Sequence, residues 1–345
     1  MPRVGPLCIV ADEAIVTFVT RVEATALPRR GQADDSSLPI RLQALFVDTS
    51  TGQLRTRREW PTASDRSRIA PASGGRFVVI TPDELLLYSP DMSPLKELEL
   101  SLSREAVLAS FSSLASPAGK YLLIAYKPPS GDESRYRWVD LDDLHLVSSW
   151  VCYLACSGEG VPTSISDGGM MLGSSSRGAM LRTPEGSWSV LYSRSPYWWG
   201  YWFNGSFVND SAIFWWASPH ERGMRIRLKL TDGPVLLEEE LPRNEILDPE
   251  YPSIGGGRFA IAIYKGKGGS DMLDIAPNYS LKYVKVYDLS TRRWVYTLDG
   301  KSQGIKSVSG LALSPDRSLL GLINQDGILQ VYRVPGATSS RQPGR

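Results

Sequence analysis

An all-β chain wound as a ring of seven sheets is what this sequence predicts, and three observations predict it. First, seven apolar stretches each end in a small polar or charged residue that opens a turn: Asp48, Ser89, Asp140, Thr183, Thr231, Asp288 and Arg333. Neighbouring ends are about 41, 51, 43, 48, 57 and 45 residues apart, the period of one four-stranded propeller blade. Second, short apolar runs inside each unit are separated by tight-turn residues, the pattern of antiparallel strands. Third, the repeat spans nearly all of the 345 residues, so one domain is a better reading than two. The predicted fold is an all-β, seven-bladed β-propeller with mostly four-stranded antiparallel blades over residues 5–335. Residues 336–345 are rich in Pro, Gly, Ser and Arg and are expected to be a disordered tail.

Each unit can be justified in order. In the first, residues 7–10 pair through Ala11-Asp12-Glu13 with residues 14–19, and a later strand ends at Asp48. The second runs from Ile69 through Gly74-Gly75 to Tyr88. In the third, residues 114–116 lead into the turn Pro117-Ala118-Gly119-Lys120, then strands over 121–126 and 137–141. The fourth runs from Thr163 through Asp167-Gly168-Gly169 to Leu181. The fifth is entered by Tyr197-Trp198-Trp199-Gly200-Tyr201-Trp202-Phe203, and its second strand ends in Phe214-Trp215-Trp216. In the sixth, Gly255-Gly256-Gly257 precedes strands over 258–264 and 281–289. The seventh is clearest: residues 308–313, the turn Ser314-Pro315-Asp316-Arg317, residues 319–323, the tight turn Asp326-Gly327, and residues 328–334. Closure stays open between two arrangements: one blade has three strands, or residues 7–10 are shared with the last blade to cover its edge.

The Ser314-Pro315-Asp316-Arg317 turn, Asp326-Gly327 and Tyr287-Asp288-Leu289-Ser290-Thr291 carry a resemblance over roughly residues 5–335. There the chain resembles the WD-repeat-type β-propellers, as a divergent member of the quinoprotein or YVTN kind. It departs from that pattern in having no Gly-His pair, and in replacing the tryptophan-aspartate dipeptide by Tyr287-Asp288 or by Trp138-Val139-Asp140. The family's His, Asp, Ser and Trp network is therefore expected to be missing. The resemblance implies that connections between second and third strands, and between blades, emerge together on one upper face. The long insertions at about 21–39, 127–135 and 265–280 all fall between second and third strands. Long loops on a rigid scaffold commonly carry binding, although solvated loops also lengthen at little entropic cost.

Composition bounds the partners. The 38 Lys and Arg balance 37 Asp and Glu, leaving no long-range field for nucleic acid. No membrane span is expected, because no run of about 18 apolar residues occurs. Residues 1–20 lack the features of a secretory signal, so a soluble protein is expected, with the cytoplasm favoured. The three cysteines, Cys8, Cys152 and Cys156, are not a disulfide framework and are expected to be buried free thiols.

Half of the ten tryptophans lie in the fifth unit. Such a cluster could anchor a partner, stack sugar rings or cage a cation, yet blade faces also need bulky filler. Core packing is the expectation for Trp202, Phe214 and Trp215. The candidate binding residues are Tyr197, Trp198, Trp199 and Trp216, together with His220 in the following loop and Lys267 in the last insertion. Only His145 and His220 exist, leaving little material for histidine metal sites or acid–base dyads. No Gly-x-Ser-x-Gly elbow, phosphate loop or calcium loop is present, so no catalytic residue, metal or cofactor is assigned. The functional expectation is a non-catalytic binding or scaffold propeller that presents its upper rim to a protein or peptide. The alternative is a propeller enzyme or glycan-binding protein with an aromatic-lined pocket on the same face, taking a small molecule or glycan.

Overall fold

The computed structural model describes residues 3–10, 13–21, 40–102, 111–127, 133–153, 161–175, 178–193, 202–218, 224–247, 253–255, 257–266 and 279–336. They form seven antiparallel sheets and no α-helix. Blade 1 is β1 (Arg3–Val10), β2 (Glu13–Arg21), β3 (Ile40–Asp48) and β4 (Leu54–Thr62). Blade 2 is β5 (Arg68–Ala72), β6 (Arg76–Ile80), β7 (Glu84–Tyr88) and β8 (Pro94–Glu99). Blade 3 is β9 (Ser112–Ala115), β10 (Tyr121–Tyr126), β11 (Glu133–Asp140) and β12 (His145–Tyr153). Blade 4 is β13 (Val161–Ile165), β14 (Met171–Ser175), β15 (Gly178–Arg182) and β16 (Trp188–Ser193). Blade 5 is β17 (Trp202–Asn209), β18 (Ala212–Ser218), β19 (Arg225–Leu230) and β20 (Val235–Glu240). Blade 6 has a divided inner strand, β21 (Glu245–Leu247) and β22 (Ser253–Gly255), followed by β23 (Arg258–Gly266), β24 (Tyr279–Asp288) and β25 (Arg293–Asp299). Blade 7 is β26 (Val308–Leu313), β27 (Leu319–Asn324) and β28 (Leu329–Arg333).

Burial follows strand position. Second strands are covered on both faces by neighbouring blades, so they read as continuous apolar runs: Phe77, Val78, Val79 and Ile80 of β6 are all buried, as is Phe259 to Tyr264 of β23. Outer strands are wet and carry the charge, as in β4 (Leu-Arg-Thr-Arg-Arg-Glu-Trp-Pro-Thr) and β20 (Val-Leu-Leu-Glu-Glu-Glu). A strand covered on both faces reads as a near-continuous apolar run, and a strand exposed to solvent does not.

All seven predicted strand ends fall at, or one residue beyond, the end of a third strand. The reason is local. Asp48 Oδ1 accepts the N–H groups of Ser50 and Thr51, both at 2.9 Å. Asp288 Oδ1 accepts Ser290 N–H at 2.8 Å, and Asp140 Oδ1 accepts Asp142 N–H at 2.7 Å. A short polar side chain that bonds the backbone two residues on ends the strand and starts the turn.

The turns between first and second strands share a second device. Ser116, Ser166 and Ser314 hydroxyls accept N–H groups across the turn, from Tyr121, Met170 and Leu319 at 2.9–3.0 Å. These turns also join one another. Ser73 N–H donates to Gly119 O at 3.1 Å, Ala118 N–H to the Asp167 carboxylate at 3.0 Å, and Gly168 N–H to Asp210 Oδ1 at 2.5 Å. Blades 2, 3, 4 and 5 are thereby linked along one end of the ring. Gly119 is required there twice over: its φ is +72°, and a Cβ would lie 2.6 Å from Ala72 Cα.

Two expectations change. The insertion expected over 127–135 is narrower, because Glu133, Ser134 and Arg135 pair with Tyr153, Cys152 and Val151 as part of β11. The insertion over 265–280 likewise loses its ends, since Lys265 pairs with Ser280 and Gly266 with Tyr279. In each case ladder hydrogen bonds carry the hairpin further than the apolar pattern does. Gly336, expected to open the tail, belongs to a turn with φ +74°, and residues 337–345 lie outside the described residues.

Of the two closures, the structure has the first. Residues of β1 pair with β2 in blade 1, and blade 7 has three strands among the described residues. The ring closes by side-chain packing: Leu7, Ile9, Ala14 and Val16 form one buried cluster with Ala312 and Ile323. Glycines make the approach possible, because a Cβ on Gly321 would lie 3.1 Å from Ile9 Cδ1. A buried ion pair fastens the other side of blade 7. Arg258 Nε donates to Asp288 Oδ2 at 2.6 Å, Nη1 to Arg317 O at 2.9 Å and Nη2 to Pro335 O at 3.2 Å.

Candidate binding face

The two ends of the ring differ in kind. Inner strands begin, and second strands end, at the upper end, so the connections β2–β3, β10–β11 and β23–β24 leave from it together with the blade-to-blade connections. At the lower end sit the short turns with the serine and aspartate caps described above. Charge perturbation gathers at turns. Bonds from the Ser50 hydroxyl, Thr51 N–H and Arg55 hold the Asp48 carboxyl well below its ordinary range. The Ser73 hydroxyl holds Asp142 down against the opposing effect of burial, with help from Arg76. Burial pushes Asp288 and Asp316 up, but bonds from Ser290 and Arg258 to the first, and from Ser314 and Ser318 to the second, outweigh it. These carboxylates are structural caps.

Several charged groups sit on the upper half. Arg68 opens β5 and reaches across to blade 3, where its Nε donates to Ser113 Oγ at 2.9 Å and its Nη2 to Ser113 O. No carboxylate pairs with it among the described residues. Burial lowers its pKa to about 10 and raises that of the Cys8 thiol to about 12. Lys282 Nζ bonds the buried Glu245 carboxylate and lies 4.8 Å from the Tyr283 ring centroid. Glu84 is pushed up by burial first and by Glu97 second. Sequence reasoning passed over Arg68, Glu245 and Arg258. The only signal for Arg258 was its place at the head of β23, directly opposite Asp288 in the ladder.

The candidate residues divide sharply. Tyr197, Trp198, Trp199, His220 and Lys267 lie outside the described residues; the strands that flank them, β16 and β17, β18 and β19, and β23 and β24, are those described above. Trp216 is described and is 6% exposed. Its ring is 5.5 Å from Phe214, which stacks on Phe259 at 4.4 Å, which in turn stacks on Tyr287 at 5.3 Å. Trp216 thus belongs to an aromatic column between blades 5 and 6. Phe214 and Trp215 are buried as expected, Trp215 beneath the Arg227 guanidinium at 5.4 Å. His145 is exposed at the start of β12. No group of three or more metal-ligating side chains occurs among the described residues, and no helix among them is long and apolar enough to cross a membrane.

Comparison with solved structures defines the class: this is a seven-bladed β-propeller. The chain is similar to the β-propeller domain of the Trilobed protease from Pyrococcus furiosus, described as having an open velcro topology. The TM-score is 0.54 at 8% identity, over 97% of this chain and 96% of that one. It is also similar to the Dos1 propeller, with a TM-score of 0.47 and 12% identity over 96% and 92% of the two chains. No family model matches the sequence. No curated protein matches it either.

Proposed function

We propose that this propeller is a non-catalytic binding or scaffold protein that holds a protein or peptide partner on its upper rim, as a divergent WD-repeat-like propeller. The observation that carries the reading is the asymmetry of the ring. Its lower end is closed by short, mutually bonded turns, while the connections of 18 and 12 residues between β2 and β3 and between β23 and β24 leave from the upper end. A rigid body with its long connections on one face is the arrangement that recognition loops require. The lowered carboxyl pKa values of Asp48, Asp142, Asp288 and Asp316 are compatible with it, since hydrogen bonds at turns account for them without a catalytic role.

Tyr197, Trp198, Trp199, His220 and Lys267 flank that rim in the chain, and the tryptophans are its natural anchors. Trp216 acts from beneath, as packing that fixes the blade 5 strand ends. The test is the double variant Trp198→Ala/Trp199→Ala, assayed by pull-down of partners from cell extract and by thermal unfolding. Reduced capture with unchanged Tm supports the reading. A loss of several kcal/mol in stability, as core aromatic truncation gives, shows that the two rings are filler instead.

A further inference from the structure

Blade 7 differs from the other six in its outer edge. In blades 1 to 6 the third strand is covered by a fourth, and every one of those pairings contains a register shift, near the start of the outer strand in all but blade 4. A bulge twists an edge away from regular pairing, which protects it from unwanted strands. In blade 7 the outermost strand among the described residues is β28, and its pairing with β27 is regular from Leu319↔Arg333 to Ile323↔Leu329.

The register also says which backbone groups are open. Asn324 N–H donates to Ile328 O, and Val334 N–H to Ser318 O. Bonded pairs alternate along an antiparallel ladder, so Gln330 and Tyr332 are bonded to β27. The N–H and C=O groups of Leu329, Val331 and Arg333 face outward. None of them has a backbone partner among the described residues.

The edge is recessed, because blades 1 and 6 each extend one strand further out as β4 and β25. The blade 6 side is Tyr296, 6.5 Å from Tyr332, and burial raises the pKa of both phenols. On the blade 1 side, Leu329 packs against the buried cluster that joins Leu7, Ile9, Ala14 and Val16 to Ala312 and Ile323. The recess is one strand wide, with a hydrogen-bonding floor, the Tyr296 ring on its blade 6 side and the charged outer strand β4 on its blade 1 side, and it cannot admit the edge of another folded sheet. It fits a single extended segment. At the lower end the exposed Arg333 has no ion-pair partner among the described residues, which favours an acidic residue in the segment.

We propose that the outer edge of β28 is a strand-acceptor site, taking an extended partner peptide with alternating apolar residues and an acidic residue opposite Arg333, by β-augmentation. This site is separate from the upper rim. The chain's own residues 337–345, Ala-Thr-Ser-Ser-Arg-Gln-Pro-Gly-Arg, are a poor match by composition: they include Pro and Gly, add positive charge and offer no aromatic ring.

The test uses the full chain and a labelled peptide, Asp-Trp-Val-Tyr-Thr-Leu-Asp, which follows the outer strand of the neighbouring blade but carries Asp at its first position, opposite Arg333 in the antiparallel register which that blade uses. Fluorescence anisotropy should show saturable binding, and hydrogen exchange should show protection of the Leu329, Val331 and Arg333 amides on peptide addition. Val331→Pro should weaken binding at least tenfold. Proline is tolerated in the fold because the Val331 N–H is not used by β27. Should that variant fail to fold, Val331→Lys, which places a charge at the edge, gives the same readout. Absence of binding, or binding unaffected by either variant, overturns the proposal. If a chain ending at Gly336 binds at least tenfold more tightly than the full chain, the slot belongs to the chain's own tail and the partner proposal falls.

Discussion

Replacing Arg258 by Met should be among the most damaging single changes available in blade 6. The guanidinium is 2% exposed and makes three bonds, to Asp288, to Arg317 O and to Pro335 O. Methionine fills the stem but leaves a carboxylate that is 4% exposed without its cation. Breaking a buried pair by removing one partner costs about 3–5 kcal/mol. Asp288 keeps its bonds from Ser290 and Thr291, so about 3 kcal/mol is expected. With an unfolding entropy of about 0.7 kcal/mol/K for a chain of this length, that is a fall of about 4 °C in Tm. Differential scanning calorimetry and urea unfolding measure it. Adding Asp288→Asn should recover more than half of the loss, since Asn still accepts the turn N–H groups but carries no charge. Asp288 has a depressed carboxyl pKa in the fold, so the stability it brings is present above the unfolded value of about 3.9 and is lost as pH falls through the folded value. The gap between wild type and Arg258→Met should therefore be constant from about pH 7 to 5 and narrow below about 4. A single variant within about 1 kcal/mol of wild type, or a second substitution that adds to the damage, would refute the reasoning.

Three further outcomes are expected. Gly119→Ala should lower stability by about 2 kcal/mol or more, read as a drop in Tm, because both φ and the approach to Ala72 exclude a Cβ. Arg317 occupies the turn position of Gly119 and Gly169 with φ +68°, so Arg317→Gly should raise stability by about 0.5–1 kcal/mol in urea unfolding; a loss would show that its side chain matters. Cys8, buried with its thiol pushed up to about 12, should resist iodoacetamide at pH 8 in the native protein and react after denaturation, as followed by peptide mass spectrometry.

What the sequence revealed was what local chemistry decides. Asp48, Asp140 and Asp288 mark their strand ends because each carboxylate bonds a backbone group two or three residues on, a range a linear reading can see. The Ser314 turn is legible for the same reason. Closure was not, since it depends on Leu7 meeting Gly310 some 300 residues away. Trp216 illustrates a different limit: its neighbours in sequence suggested a rim, but its neighbour in space is the Phe214–Phe259 stack supplied by another blade. Arg258 and Asp288 are separated by a whole hairpin, and neither the charge pattern nor the spacing singles out their pairing. Tyr197, Trp198, Trp199, His220 and Lys267 lie outside the described residues.

The chain of bonds from Ser73 to Gly119, Ala118 to Asp167 and Gly168 to Asp210 has a consequence for how the molecule comes apart. In an open solenoid each repeat leans only on its neighbours, and melting can spread inward from either end. Here every sheet from the second to the fourth holds a backbone N–H that the next one satisfies, so losing order in one orphans polar groups in the sheets beside it. Those four sheets should melt together, in a single step and not as a series.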